Sequence, residues 1–277
     1  MSTPFISILT LASGSSGNLA LVRTRTTTIL LDLGLQSQRG IAAALAENGV
    51  VAEHLDAAVV SHAHSDHLAY PGLKLMADIG VPVLMNDATK ASAQRLFYQH
   101  RRRELPEAAT VAIRPDTTYL VGDLEVTPFE VPHDVPTFGF RFEVQDGTIR
   151  RRVTVATDLG CTPDDLTKHF VNANAILIEA NYNDDMLRCS ARHPDNKRRV
   201  AGDHGHLSNV QSGSFLDRVA EASKQLPERV LLVHLSEEHN TPSLAMSEVA
   251  GQVRWGQRAQ SILDIAPRRA RGKLVSV

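Results

Sequence analysis

The sequence predicts an α/β protein built as a four-layer αββα sandwich, with two β-sheets face to face and helices outside. Two observations carry that prediction. The elements run strands then helices, and then strands then helices again, with no interdomain linker, no repeat of fixed period and no low-complexity tract. Several strands are short continuous apolar runs, the pattern of strands covered on both faces. A chain of 277 residues is long enough to bury a large core, and residues 1–277 are read as one domain.

The elements are justified in order. Phe5 to Ala12 is apolar and β-prone and leads into a Gly/Ser loop, Ser13 to Asn18. Leu19 to Arg23 and Thr27 to Leu33 read as strands around a polar turn. Ser37 to Asn48 reads as a helix: Ser37 is placed to cap it, Ile41, Ala44, Leu45 and Asn48 follow helical spacing, and Gly49 suits the exit. Ala57 to Ser61 is a buried strand, followed by a helix at Pro71 to Ile79, a strand at Pro82 to Met85 and a helix at Ala88 to Gln99. Strands return at Thr118 to Val121, Leu124 to Val131, Phe138 to Val144 and Arg152 to Thr157, and Asp146-Gly147 is the strongest hairpin signal. Ala175 to Glu179 and Arg229 to Leu235 are again apolar strands. Ser208 to Ala222 reads as a helix with a Ser208/Gln211 capping box, and Ser243 to Arg258 as the last long helix.

Composition sets further bounds. A net charge of -2 excludes a uniformly basic nucleic-acid binder but leaves room for a locally basic face. No window approaches about 20 uninterrupted apolar residues, so no transmembrane helix is expected and no membrane partner. Met1 to Gly17 lacks a basic stretch followed by an apolar one, and Cys161 and Cys189 are too few for a disulfide framework; a cytoplasmic location is expected. The 12 histidines stand out against 2 cysteines, so any metal site should be built from imidazole.

The strongest chemical signal is Ser61-His62-Ala63-His64-Ser65-Asp66-His67, an H-x-H-x-D-H run directly after a buried strand. At a strand end, His62, His64, Asp66 and His67 can converge on one cavity, and imidazole with carboxylate suits Zn²⁺ and other first-row divalent ions. A His-rich surface loop would be the bland alternative, which the strand context and spacing disfavour. Further candidates sit at the C-terminal ends of other strands: His133, Asp158 and His234. In open α/β architectures that edge is where ligands bind. Each alone reads as an ordinary buried polar residue; with the H-x-H-x-D-H run they complete a set of seven.

This pattern resembles the metallo-β-lactamase superfamily, from about residue 5 to residue 265. The resemblance implies that His62, His64 and His133 bind one metal, that Asp66, His67 and His234 bind a second, and that Asp158 bridges them. It implies two divalent ions, Zn first, with Mn or Fe as alternatives, and Asp66 as both ligand and catalytic residue. True lactamases often carry Cys where Asp158 stands; here Cys161 lies three residues later, which argues against a lactamase. Leu11 to Asn18, Glu179 to Asn183 and Gly205 to Asn209 further resemble the YycJ/WalJ-type subgroup, which implies a 5′-to-3′ exonuclease acting on DNA.

Other residues read as substrate contacts. The small residues Ser15 and Ser16, with Asn18, let backbone and hydroxyls approach a phosphate, and no P-loop Lys is present. Ser208 begins a helix whose N-terminus suits an anion. Asn181 and Glu179 end a buried strand at the same edge, where either could line the cavity or orient a ligand, and Asp134 is placed to support His133. His206 is the expected proton donor to the leaving oxygen; His204 offers the same chemistry, but the motif matches His206.

Four basic clusters could meet a polyanion: Arg101 to Arg103 beside Phe97 and Tyr98, Arg150 to Arg152, Lys197 to Arg199, and Arg268, Arg269, Arg271 and Lys273. The last has only Asp264 nearby and is the first choice. The expected activity is hydrolysis of DNA phosphodiesters by water activated between two ions. The competing readings are a small-molecule (cyclic nucleotide-like) phosphodiesterase, a thioesterase on the same fold, and a non-enzymatic binding module.

Overall fold

In the computed structural model, residues 5–14, 16–101, 103–106, 110–268 and 270–277 are described, without the side chains of His100 and Arg101. Strand β1 (Ser7–Ala12) pairs antiparallel with β2 (Leu19–Arg23), and β2 with β3 (Thr28–Leu31). After helix α1 (Gln38–Ala46), β4 (Ala57–Val59) joins β3 in parallel. Helix α2 (Tyr70–Ile79), β5 (Val83–Met85), helix α3 (Asp87–Arg101) and β6 (Thr110–Ala112) extend this sheet by further parallel pairs.

The second sheet grows by hairpins and then by parallel crossovers. β7 (Tyr119–Val121), β8 (Leu124–Val131), β9 (Thr137–Asp146) and β10 (Ile149–Ala156) are antiparallel neighbours. Asp146 and Ile149 face each other across the β9–β10 turn, where Gly147 takes φ +60, so the Asp-Gly signal is a hairpin as expected. Helix α4 (Thr167–Phe170) precedes β11 (Ala175–Glu179). Helices α5 (Asp184–Cys189), α6 (Pro194–Ala201) and α7 (Asn209–Ala222) lead to β12 (Arg229–Val233). Helices α8 (Pro242–Gln252) and α9 (Arg258–Ile262) lead to β13 (Leu263–Ile265). β10 to β13 pair in parallel. The chain then crosses back, and β14 (Val275–Ser276) pairs with β1.

Each sheet thus has seven strands, ordered β14-β1-β2-β3-β4-β5-β6 and β13-β12-β11-β10-β9-β8-β7. Strand alternation separates the buried residues into three layers. Ile8, Val22, Ile29 and Val59 of the first sheet meet Phe140, Phe142, Val155 and Leu177 of the second. On the outer faces, Leu9, Leu21, Leu30 and Val83 pack on Ile41 and Leu45 of α1 and Leu73 and Met76 of α2. Ile176, Ile178, Val230 and Leu232 pack on Phe215, Leu216 and Val219 of α7 and Val249 of α8. Helix, sheet, sheet and helix therefore stack as the expected four layers. Burial of both strand faces is why these strands read as continuous apolar runs rather than alternating ones.

The caps behave as read: Ser37 accepts from Gly40 N, and the Ser208/Gln211 capping box is formed in both directions. One long helix does not. The expected helix from Ser243 to Arg258 stops at Gln252 and restarts as α9, with Gly256 at φ +57 in the break. No helix among the described residues is long and apolar enough to cross a membrane.

Candidate metal centre

Strand direction explains why ligand-type residues gather. β3 and β4 are parallel, and so are β10, β11 and β12; β8 runs in the sense of β10 because two antiparallel pairings separate them. The C-terminal ends of these strands in each sheet therefore share one edge. There they present Asp32 after β3, Ser61 to His67 after β4, His133 after β8, Asp158 after β10, Glu179 and Asn181 at β11, and His234 after β12. Cross-sheet bonds align the two edges: Phe138 N donates to Ser61 O at 3.0 Å, and His234 N to Ser13 Oγ at 3.0 Å.

Three of these residues, Asp32, Asp158 and His234, hold φ of 63, 55 and 56. A non-glycine residue in the left-handed region costs roughly 1–3 kcal/mol and persists only where its surroundings impose it. Each is the residue that turns a side chain from a strand end into the shared cavity.

The imidazoles are oriented from behind. His67 Nδ1 is 2.7 Å from Asp32 Oδ2, His133 Nδ1 is 3.0 Å from Gly205 O, and His234 Nδ1 is 2.7 Å from Glu179 Oε1. His62 Nδ1 is 3.0 Å from Ser61 Oγ, which also bonds Asp32 Oδ1 at 2.9 Å. With Nδ1 so occupied, each of these rings presents Nε2 to the cavity. His64 is turned the other way. Its Nε2 faces Asp134 Oδ1 at 3.3 Å, and its Nδ1 lies 3.0 Å from His62 Nε2 and 3.4 Å from His133 Nε2.

Ligand atoms of His62, His64 and His133 lie within 4.8 Å of one another, as do those of Asp66, His67 and His234. A third group, His62, His67 and Asp158, ties the two together. Asp158 Oδ2 sits 3.0 Å from His67 Nε2 but is not aligned to accept its proton; Asp158 Oδ2 and His234 Nε2 are both buried and make no hydrogen bond among the described residues. Orphaned buried atoms of this kind mark a place for a cation. The electrostatics agree. Burial works against charge on His234, yet Asp158, Asp66 and Glu179 raise its pKa to about 10. Burial lowers the pKa of His62 strongly and that of His133 as well, which favours the neutral form that nitrogen ligands require. The residues present therefore fit divalent cations.

His206 joins this edge from the loop before α7. Its Nδ1 lies 2.8 Å from the same Glu179 oxygen that holds His234, while Glu179 Oε2 accepts from Leu159 N and Leu207 N. Glu179 is fully buried. Glu179 orients a ligand as the sequence allowed, but its two partners, and the support of His67 by Asp32, were not read from the sequence. Only a polar residue at an apolar strand end hinted at either.

The sequence-based substrate contacts divide. Asn181 lines the cleft beside His206 and His234 and donates to His234 O at 2.8 Å. Asn18 is buried; its side chain lies 2.8 Å from His67 Nε2 and also bonds Gly14 and the Asp66 carbonyl, so it fastens the first loop to the H-x-H-x-D-H loop rather than facing the cleft. Ser16 lines a separate depression with Glu47 and Arg268, and the Ser208 hydroxyl is buried in the capping box, so neither reaches the cleft. Ser15 lies outside the described residues.

The basic clusters also sort differently from expectation. Arg268 donates to the carbonyls of Leu235, Ser236 and Asn240, and Lys273 pairs with Asp264; Arg269 lies outside the described residues. Arg150 and Arg152 pair with Glu143, which they share with Arg141, and Arg151 pairs with Glu228. Arg102 also lies outside the described residues. The cluster on α6 instead reaches the cleft, whose lining of about 490 Å³ includes Arg192, Lys197 and Arg199 as well as Asp158, His206 and His234.

Residues 27–235 match the family described as the β-lactamase superfamily domain. The chain is 31% identical over 245 residues to exodeoxyribonuclease WalJ of Streptococcus pneumoniae, covering 88% of this chain and 86% of that protein. It is 29% identical over 243 residues to exodeoxyribonuclease YycJ of Bacillus anthracis, covering 87% and 86%. The metallo-β-lactamase fold protein YhfI from Bacillus subtilis superposes with a TM-score of 0.72 at 18% identity, over 99% of this chain and 100% of that one. The chain belongs to the β-lactamase superfamily, as a metal-dependent hydrolase related to the WalJ and YycJ proteins.

Proposed function

We propose that this chain is a DNA exonuclease working from 5′ to 3′, with two divalent ions, Zn²⁺ first among them, at the edge where both sheets end. The observation that carries the reading is the set of inward-facing ligand atoms shared by the two sheets, in a chain similar over most of its length to proteins named exodeoxyribonucleases. His62, His64 and His133 would hold one ion and Asp66, His67 and His234 the other, with Asp158 between them. When bound, such ions supply Lewis acidity toward a phosphoryl oxygen and ionise water near neutral pH.

The protein's own groups do the rest. Asp32, Glu179, Gly205 and Asp134 keep the ligating nitrogens turned inward. Glu179 holds Nδ1 of His206, so Nε2 is the atom available to protonate a leaving oxygen, a role typically worth ~10²–10⁴-fold in rate. Arg199 supplies positive charge on the cleft wall for a neighbouring phosphate, whereas Arg192 beside it is paired with Glu238. Because both sheets contribute ligands, residues 1–277 act as one domain in this reading, and the unpaired Cys161 and Cys189 suit a reducing cytoplasm.

The test is an assay on end-labelled single- and double-stranded DNA and RNA with defined metals and an Asp158→Ala control. Stepwise release of nucleotides from 5′ ends of DNA is expected. Hydrolysis of a small phosphodiester with no cleavage of any polymer would replace this reading by a small-molecule phosphodiesterase.

A further inference from the structure

His64 separates two cavities. On one side lies the polar cleft with His206 and the α6 cations. On the other lies an apolar cavity of about 650 Å³, walled by Leu68, Tyr70, Leu96, Phe97 and Arg103. Tyr70 opens α2 three residues after His67, and Phe97 stands near the end of α3. Their rings meet edge to face at 5.3 Å and 83°, and the Arg103 guanidinium lies 4.6 Å from the centre of the Tyr70 ring. Tyr70 and Phe97 are only partly buried, and Phe97 also packs on the core layer beneath α1 and α2.

We propose that this cavity is a nucleobase subsite: it takes the base of the nucleotide that keeps the scissile phosphate, on the side of His64 away from His206. The inference rests on the nuclease reading and adds the identity of the group bound there. The chemistry favours this occupant. Partly exposed aromatic rings and a guanidinium offer stacking surface to any base, without sequence preference. The exposed Arg103 adds a positive charge that suits the attached phosphate. His64 lines both cavities, so the apolar one adjoins the proposed reaction site, and the opposite cleft already holds the proposed proton donor for the leaving group.

The experiment measures kcat and KM of the metal-loaded enzyme on short DNA strands carrying a single abasic residue at each position around the scissile bond. Loss of one base next to that bond should raise KM roughly ten-fold. The Phe97→Leu variant keeps an apolar side chain but removes the ring, and should cleave intact DNA as weakly as the wild type cleaves the abasic strand. It should hydrolyse methyl p-nitrophenyl phosphate, which has no base, at the wild-type rate. If no abasic position matters, or if Phe97→Leu slows both substrates alike, the inference is overturned while the nuclease reading stands. If the wild type degrades no DNA, the nuclease reading itself has failed, and the inference with it.

Discussion

Asp32 grips His67 through Nδ1 at 2.7 Å, and this contact decides which ring nitrogen His67 turns toward the cavity. The same carboxylate accepts from Ser61 N and Ser61 Oγ at 2.8 and 2.9 Å, so one residue at the end of β3 sets the start of the H-x-H-x-D-H loop and one of its ligands. Asp32→Asn keeps the shape but weakens the hold on Nδ1. Metal affinity should fall by roughly 10–100-fold, the usual cost of losing such an outer partner. Competition with a chelator of known affinity measures it; unchanged affinity would show that Asp32 serves the loop alone.

Glu179 should matter to turnover beyond its effect on metal affinity, because it holds the proposed proton donor His206 as well as the ligand His234. Glu179→Gln puts an amide NH₂, which donates and cannot accept, against either the two imidazole nitrogens or the Leu159 and Leu207 amides. A fall in kcat of about 10²-fold or more is expected, larger for substrates with poor leaving groups. Equal losses across leaving groups would argue that His206 is not the proton donor.

Gly34 lies against the metal-binding loop. A Cβ there would stand 1.7 Å from the Asp66 carbonyl oxygen and 2.7 Å from Asn18 N, both backbone atoms. Gly34→Ala must push the loop away, so destabilisation of about 1–3 kcal/mol and loss of bound metal are expected together. Denaturant midpoint and metal content on one preparation check both.

Arg199 is exposed on the cleft wall, and its guanidinium lies 3.4 Å from Asp134. If it contacts a phosphate, Arg199→Gln should weaken DNA binding at all sequences and lower the salt slope by about 1. Hydrolysis of a small diester should not change. Identical salt slopes would remove α6 from the DNA path.

His169 makes stability depend on pH away from the metal centre. Its ring stacks on Phe129 at 4.3 Å and 8°, and burial, only partly offset by Asp116, pushes its pKa down from 6.5 to about 4. The unfolded chain therefore binds this proton at higher pH than the folded one. Stability should fall as pH drops from about 6.5 toward 4 and be insensitive to this group above that window. Urea midpoints at pH 7 and pH 5, compared between wild type and His169→Phe under equal metal, isolate the effect; equal pH dependence would refute it.

Legibility followed chain length and locality. Strands such as Ala175–Glu179 and Arg229–Val233 were readable because burial on both faces leaves an uninterrupted apolar run. β13 and β14 have three and two residues, too short for any period, and exist because distant strands offer free edges. The helices α5 and α6 are short and polar, and their caps at Asn183 and His193 were not singled out. Ser16 and Ser208 looked like phosphate contacts because small hydroxyls at a loop or helix start suit anions. The fold buries or turns them elsewhere.

By itself the sequence determined the layered α/β architecture and the seven ligand candidates, because both are written in local patterns: apolar runs, and His or Asp at their ends. Tertiary structure alone decided three other things. It chose the carboxylates behind the imidazoles, since Asp32 and Glu179 act across 35 and 55 residues of chain. It chose the basic cluster that meets the cleft, turning Arg268 to carbonyls and α6 to the site. It also set Tyr70 against Phe97 beside His64. Each depends on which distant surfaces pack together, and sequence spacing carries no record of that.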